Sequence, residues 1–318
     1  MRNFMKKMMI TSMAAVLALA AGCGSGTGGG RSTVPPRVGI LQDTSHAAAQ
    51  EITKGFIKAL ADNGYLNGQT VILVENDAQG ESGRYTEIAA QYASDQMDLI
   101  LAVGLPAALA AQEHAPDVSI LGVAIQNFQM AGLNISGTTD GNPVEAQLEL
   151  LKELVPDAAT AGVLYSEEDV YAGLQSQQFK AAASALGIDA VEVSVDRAAA
   201  IDAALDEILA ECDVLYIPED AMIISAADKV YKAAAAAGIP VVVSSKAMVE
   251  SGGLATAAVD YSDLGYQTGR MAVEIFNEGS DPDSMPVRSS ADFLYYINGA
   301  VAEALGIDIP AALSSSVI

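Results

Sequence analysis

Asp98-Leu-Ile-Leu-Ala-Val-Gly-Leu-Pro-Ala-Ala108 reads as a strand, a turn and the start of a helix. The unbroken apolar run 99–103 is the pattern of a strand covered on both faces, as in a parallel sheet. Gly104 ends the run, and Pro106 falls at the start of a helix over 107–113, where its missing N–H costs nothing. Asp213-Val-Leu-Tyr-Ile-Pro-Glu219 repeats the same strand far down the chain. Two spacings recur with it: 17 positions separate Gly39 from Phe56 and Gly162 from Phe179, and 25 separate Gly39 from Gly64 and Gly162 from Gly187. Strand, loop, helix and glycine stop return in register, so the chain is read as two similar α/β lobes.

Candidate strands 38–41, 71–75, 99–103, 119–123, 161–165, 190–193, 214–217, 240–243 and 254–256 alternate with candidate helices 47–62, 82–95, 107–113, 143–154, 170–186, 199–211, 221–237 and 264–277. Strict alternation implies parallel sheets with helices on both faces. Such sheets bind ligands beyond the carboxyl ends of their strands. In a two-lobed molecule those ends face each other across a cleft. That nominates loops 42–46, 104–107 and 125–128 of the first lobe and 166–169, 218–221 and 244–246 of the second.

A chain of 318 residues, 51% hydrophobic and 18% charged, can bury the core of two domains. Its formal charge of −24 argues against nucleic acid and an anionic bilayer as partners of the folded part, since both demand basic patches. Arg2, Lys6 and Lys7 precede an apolar run over 8–21, which reads as a secretory signal peptide too short to span a bilayer. Ala20-Ala-Gly-Cys23 closes that run and resembles the lipobox of bacterial lipoproteins, with Cys23 as the lipidated residue. Gly24, Gly26 and Gly29 spell G-x-G-x-x-G, but no strand delivers the chain to them and no helix follows, so the stretch reads as a Gly/Ser/Thr tether and not a cofactor loop. With Cys23 lipidated, Cys212 stands alone: no intramolecular disulfide forms, a two-cysteine racemase is excluded, and Cys212 reads as a buried thiol beside an apolar strand.

In the first-lobe loops, Gln42, Asp43 and His46 lie after one strand, Leu105, Pro106 and Ala107 open a helix, and Gln126 and Asn127 follow a third strand. The free N–H groups at the helix start suit a carboxylate, although an ordinary capped turn fits the same residues. His46 could stack on a ligand or simply lie at the surface, whereas His114 reads as a surface residue; one histidine in the cleft without cysteines makes no zinc site. In the second lobe, Ser166, Glu167, Ser244 and Lys246 fall in the cleft loops, and Glu167-Glu-Asp169 reads mostly as a solvated helix start. Asp220 precedes a helix and reads as its N-cap, as a partner for a ligand ammonium, or as both. No G-x-S-x-G elbow, P-loop or H-E-x-x-H is present, which moves the reading toward binding without excluding a lyase or hydrolase using the acidic loops.

Taken together, Val38-Gly-Ile, Asp98 to Ala108, Gly137-Thr-Thr-Asp, Pro143-Val-Glu-Ala-Gln-Leu-Glu-Leu150, Gly253-Leu-Ala-Thr256 and Asp260-Tyr-Ser-Asp-Leu-Gly-Tyr-Gln-Thr-Gly269 resemble the ABC-transporter substrate-binding lipoproteins that take tryptophan and other aromatic amino acids. The resemblance implies a type I periplasmic-binding-protein fold with crossovers near 137–142, 257–260 and 286–291. It implies a signal peptide over 1–22, a tether over 23–36, a first lobe of 37–139 with 258–288 and a second of 140–257 with 289–318. It further implies an extracytoplasmic monomer, held at the membrane by lipid on Cys23, that needs no cofactor and hands a small zwitterion to an ABC permease and its ATPase. A sensing receptor on the same fold and a nucleoside or sugar ligand remain the alternatives. Leu105 stands where the family commonly has Thr, and Ser166-Glu-Glu-Asp replaces its usual loop, while Asp220 matches a family Asp suited to the ligand amine. With no tryptophan in the chain, stacking on an aromatic ligand would fall to side chains such as His46, Phe128 and Tyr171.

Overall fold

The computed structural model describes residues 34–44 and 46–318. The expected signal peptide, Cys23 and the tether up to residue 33 lie outside the described residues. Strands β1 (Arg37–Gln42), β2 (Ile72–Asp77), β3 (Leu99–Val103), β4 (Ser119–Val123) and β5 (Ser136–Thr138) make one parallel sheet in the order β2-β1-β3-β4-β5. Helices α1 (Ala47–Asp62), α2 (Ser82–Ser94) and α3 (Leu105–His114) join consecutive strands. A second sheet holds β6 (Thr160–Ser166), β7 (Asp189–Val195), β8 (Val214–Ile217), β9 (Val241–Val243), β10 (Ala255–Val259) and β11 (Phe293–Ile297) in the order β11-β10-β9-β8-β6-β7. Its helices are α4 (Val144–Leu154), α5 (Val170–Ala185), α6 (Ile201–Ile208), α7 (Ala221–Ser225), α8 (Ala227–Ala237) and α9 (Lys246–Glu250), with α10 (Tyr261–Glu278) and α11 (Gly299–Leu305) following β10 and β11.

The orders β2-β1-β3-β4 and β7-β6-β8-β9 are the same walk taken twice, and the recurring glycines show why. A Cβ on Gly39 would lie 2.6 Å from the Tyr92 ring, and one on Gly162 would lie 2.7 Å from Ile208, so at the same place in each half a helix side chain presses onto bare strand backbone. Phe56 and Phe179 are both fully buried, and Gly64 and Gly187 both take the left-handed conformation, φ +82° and +70°, beyond the first helix of each half.

Several details depart from the sequence expectations, β11 itself being a strand that was not expected. β11 runs antiparallel to β10, as an edge strand on an otherwise parallel sheet. β5, α9 and α11 were not expected, and the helix expected over 221–237 is two, broken at Ala226.

The chain passes between the sheets three times, after β5, after β10 and before β11. α10 belongs with the first sheet and packs along α1 so closely that a Cβ on Gly265 would fall 2.0 Å from the Ile52 carbonyl oxygen. It also fastens the passages. The Thr138 and Thr268 hydroxyls lie 2.7 Å apart, and Glu274 receives both Arg288 guanidinium N–H groups at 2.9 and 2.7 Å. The Asp263 carboxylate accepts from the Ser290 hydroxyl and from the backbone N–H groups of Ala291 and Asp292.

Candidate functional site

The carboxyl ends of β1, β3 and β4 open into a cavity of about 570 Å³, within the size range of small-molecule sites. The turn after each strand contributes to its wall: Asp43 and His46 after β1, Gly104 and Pro106 after β3, Ala124 after β4. Ala124 has φ +57°, a strained setting for a residue with a side chain, held at the cavity wall. Gly104, at φ +83°, turns the chain from β3 into α3 while its N–H donates to the Val123 carbonyl at 2.8 Å. No side chain caps α3, and the first N–H groups of a helix have no intrahelical acceptor, so this end of the cavity favours an anion.

Other groups on the wall give it the opposite polarity and an aromatic face. Tyr85 of α2 is buried, and its hydroxyl is pushed up by burial and then by the charges of Asp43 and Asp77. Asp77 holds its own carboxyl below the usual range through the Thr44 hydroxyl and the Gln79 N–H, both of which donate to it. Tyr261, first residue of α10, and Asp140, in the first passage between the sheets, complete the wall. Burial pushes the Asp140 carboxyl up, and the Tyr261 hydroxyl is raised by burial and by the Asp140 charge.

The residues expected from the sequence divide. Asp43, His46 and Pro106 line the cavity, with the His46 side chain 76% exposed at the rim and 3.7 Å from Asp43. Gln42 is buried and accepts from the Thr53 hydroxyl, which ties β1 to α1. Ala107 and Phe128 are core residues, so Phe128 offers no ring to a ligand, while Leu105 is exposed. Gln126 is exposed, and Asn127 accepts from the Met130 N–H within its own turn.

Around the second sheet, Ser166 is buried and Glu167 accepts from the Ser194 hydroxyl. The Ser244 hydroxyl donates to Glu219, and Lys246 donates to Glu250 over the Tyr296 ring. Glu219 lines a separate, wider depression at the ends of β8 and β9. Asp220 has no exposed surface: one carboxylate oxygen accepts from Met222 and Ile223 N–H and the other from Ser166 N–H, so it caps α7 and ties it to β6. Asp169 caps α5 in the same way. Tyr171 is exposed near the start of α5. Cys212 is buried and free, its thiol pushed up to about 11 by burial, which leaves it protonated and inert.

Asp140, Tyr85, Tyr261 and Ala124 were not singled out as wall residues in the sequence. For Asp140 the signal was present in part, because Gly137-Thr-Thr-Asp140 marks the strand end from which the chain leaves the sheet.

A family model for ABC transporter substrate binding proteins matches residues 37–317, and the chain belongs to that family. It adopts the type I periplasmic-binding-protein fold, two mostly parallel sheets flanked by helices. A tyrosine-binding protein of Clostridioides difficile (strain R20291) is 31% identical over 319 residues, 94% of this chain and 92% of that one. The ligand-free, open structure of a substrate binding protein with adhesive properties from Clostridium difficile is 34% identical, with TM-score 0.76 over 89% of this chain and 99% of that one. An ABC domain in complex with L-Trp from Streptococcus pneumonia is 29% identical, with TM-score 0.55 over 90% of this chain and 100% of that one.

Proposed function

We propose that this chain is the extracytoplasmic receptor of an ABC importer and that it captures one amino acid, of the aromatic class, in the cavity at the ends of β1, β3 and β4. The observation that carries the reading is the make-up of that wall: an uncapped helix start for a carboxylate, the acidic side chains Asp43 and Asp140 for an ammonium, and the rings of Tyr85 and Tyr261 beside them. The tyrosine-binding relative and the L-Trp complex support the aromatic class. Closer agreement with the ligand-free, open relative, 0.76 against 0.55, supports reading this conformation as open. Ligand would then draw the halves together by its extra affinity for the closed form. In this reading lipid on Cys23 holds the receptor at the membrane, and a permease with its ATPase receives the ligand.

A thermal-shift panel of amino acids, nucleosides and sugars tests the ligand class. A ligand held only by the folded chain stabilises it by about 2.7 kcal/mol at a hundred times Kd. Tyrosine or tryptophan should raise the melting temperature, and a response confined to a nucleoside or sugar would overturn the amino-acid reading. Expressed with its own leader, the chain should sediment with membranes and be released by Cys23→Ser, and release of both forms alike would refute the anchor.

A further inference from the structure

Asp140 sits in the first passage between the sheets with its backbone held on both sides. The Thr139 N–H donates to the Arg288 carbonyl at 2.8 Å, the Thr139 hydroxyl donates to the Gln126 carbonyl at 2.9 Å, and the Gly141 N–H donates to the Thr139 hydroxyl at 3.0 Å. The carboxylate itself is in the opposite state. Its Oδ1 is sealed from solvent and receives no hydrogen bond from the described residues.

Buried carboxylate oxygens are otherwise paired, and an unpaired one is costly, so an Asp in the cavity wall with one oxygen left over calls for a donor from outside the chain. Asp220 is the contrast, with both oxygens occupied by backbone N–H groups. Among the described residues no lysine or arginine lines the cavity, and Asp43 adds a second acidic group to its wall. Burial pushes the Asp140 carboxyl up, and its own backbone N–H opposes the shift, so a cation arriving beside it would supply the charge that no side chain of the cavity wall offers.

We propose that Asp140 takes the ligand's α-ammonium group, which makes a primary amine a requirement for binding. An ammonium brings three N–H donors and a full positive charge, which match an acceptor that has neither. The proposal rests on the amino-acid reading of this cavity and moves the amine partner from Asp220, which is occupied as a cap, to the passage between the halves. A ligand held there touches the segment that must turn when the halves close.

Isothermal titration of the full chain and of Asp140→Asn against L-tyrosine, L-tryptophan and desaminotyrosine tests this. Asp140→Asn should weaken tyrosine or tryptophan by about a hundredfold or more. Desaminotyrosine should bind wild type and variant weakly and within about threefold of each other, because the pair that the substitution breaks is absent from that ligand. The unliganded variant should melt at or above the wild-type temperature, since the change removes an unpaired buried charge. Tyrosine and tryptophan both bound by the variant within about threefold of wild type would overturn the role of Asp140 while leaving the amino-acid reading intact. Wild-type protein that takes neither amino acid would overturn both. Should the variant fail to melt cooperatively, the wild-type preference for tyrosine over desaminotyrosine decides, and a ratio near one refutes the amine requirement.

Discussion

Asp98 and Asp213 do the same work in the two halves. Each donates its N–H to the first residue of a neighbouring strand, Arg37 or Thr160, and each turns its carboxylate back onto the N–H groups that begin that strand, at 2.7 Å for Arg37 and at 2.9 and 2.8 Å for Ala159 and Thr160. A strand that starts a sheet has N–H groups without a ladder partner, and an aspartate one strand over satisfies them. Asp220 shows the same economy at the other end of β6, where it joins the Ser166 N–H to the first turn of α7. Asp220→Ala leaves three backbone N–H groups without their acceptor and should lower stability by about 2–4 kcal/mol in urea unfolding. An unchanged unfolding midpoint would mean that the cap carries no weight.

Among the elements, those that the sequence displays best are those whose pattern and burial coincide. β3, β4 and β8 run where their apolar stretches run, and α1 spans the expected 47–62. β5 is Ser-Gly-Thr, with no apolar residue to mark it, and it pairs with β4 because Gly137 lets the backbones approach: a Cβ there would lie 1.7 Å from the Gly122 carbonyl oxygen. β11 is half-exposed and exists by pairing with β10 from a distant part of the chain, which no local pattern encodes. Of the cavity wall, Asp43, His46 and Pro106 were legible because they follow strand ends; the unpaired oxygen of Asp140 was not, since pairing is a property of the surroundings and not of the residue. Gly265 and Gly269, four apart on α10, lie in the stretch quoted for the family resemblance, and their packing role shows only against α1, where Gly265 meets the Ile52 carbonyl and Gly269 the Ala59 methyl. Gly265→Ala must push the helices apart and should cost about 3 kcal/mol or more, read as a lower melting temperature with the ligand preference kept. A variant as stable as wild type would show that the contact is slack.

For the molecule as a whole, acid should loosen the attachment of the third passage to α10. Bidentate hydrogen bonding from Arg288 holds Glu274 below its ordinary value of 4.5. Burial alone would raise Asp263, yet donors from Ser290, Asp292, Gln267 and Ala291 outweigh it and hold it below 3.8. Both folded values lie below the unfolded ones, so their stabilisation is complete above about pH 4.5 and is lost as pH falls through the lowered values. Wild-type protein should therefore lose melting temperature between pH 5 and pH 3 more steeply than Glu274→Gln. Parallel curves would remove the pair from the acid response. Seen as a mechanism in the engineer's sense, α10 is a spar to which three cords are made fast, at Thr268, at its own N-terminal Asp260 and at Asp263 with Glu274. Cords gathered on one spar share its position, so a substitution that displaces α10 shifts all three passages together.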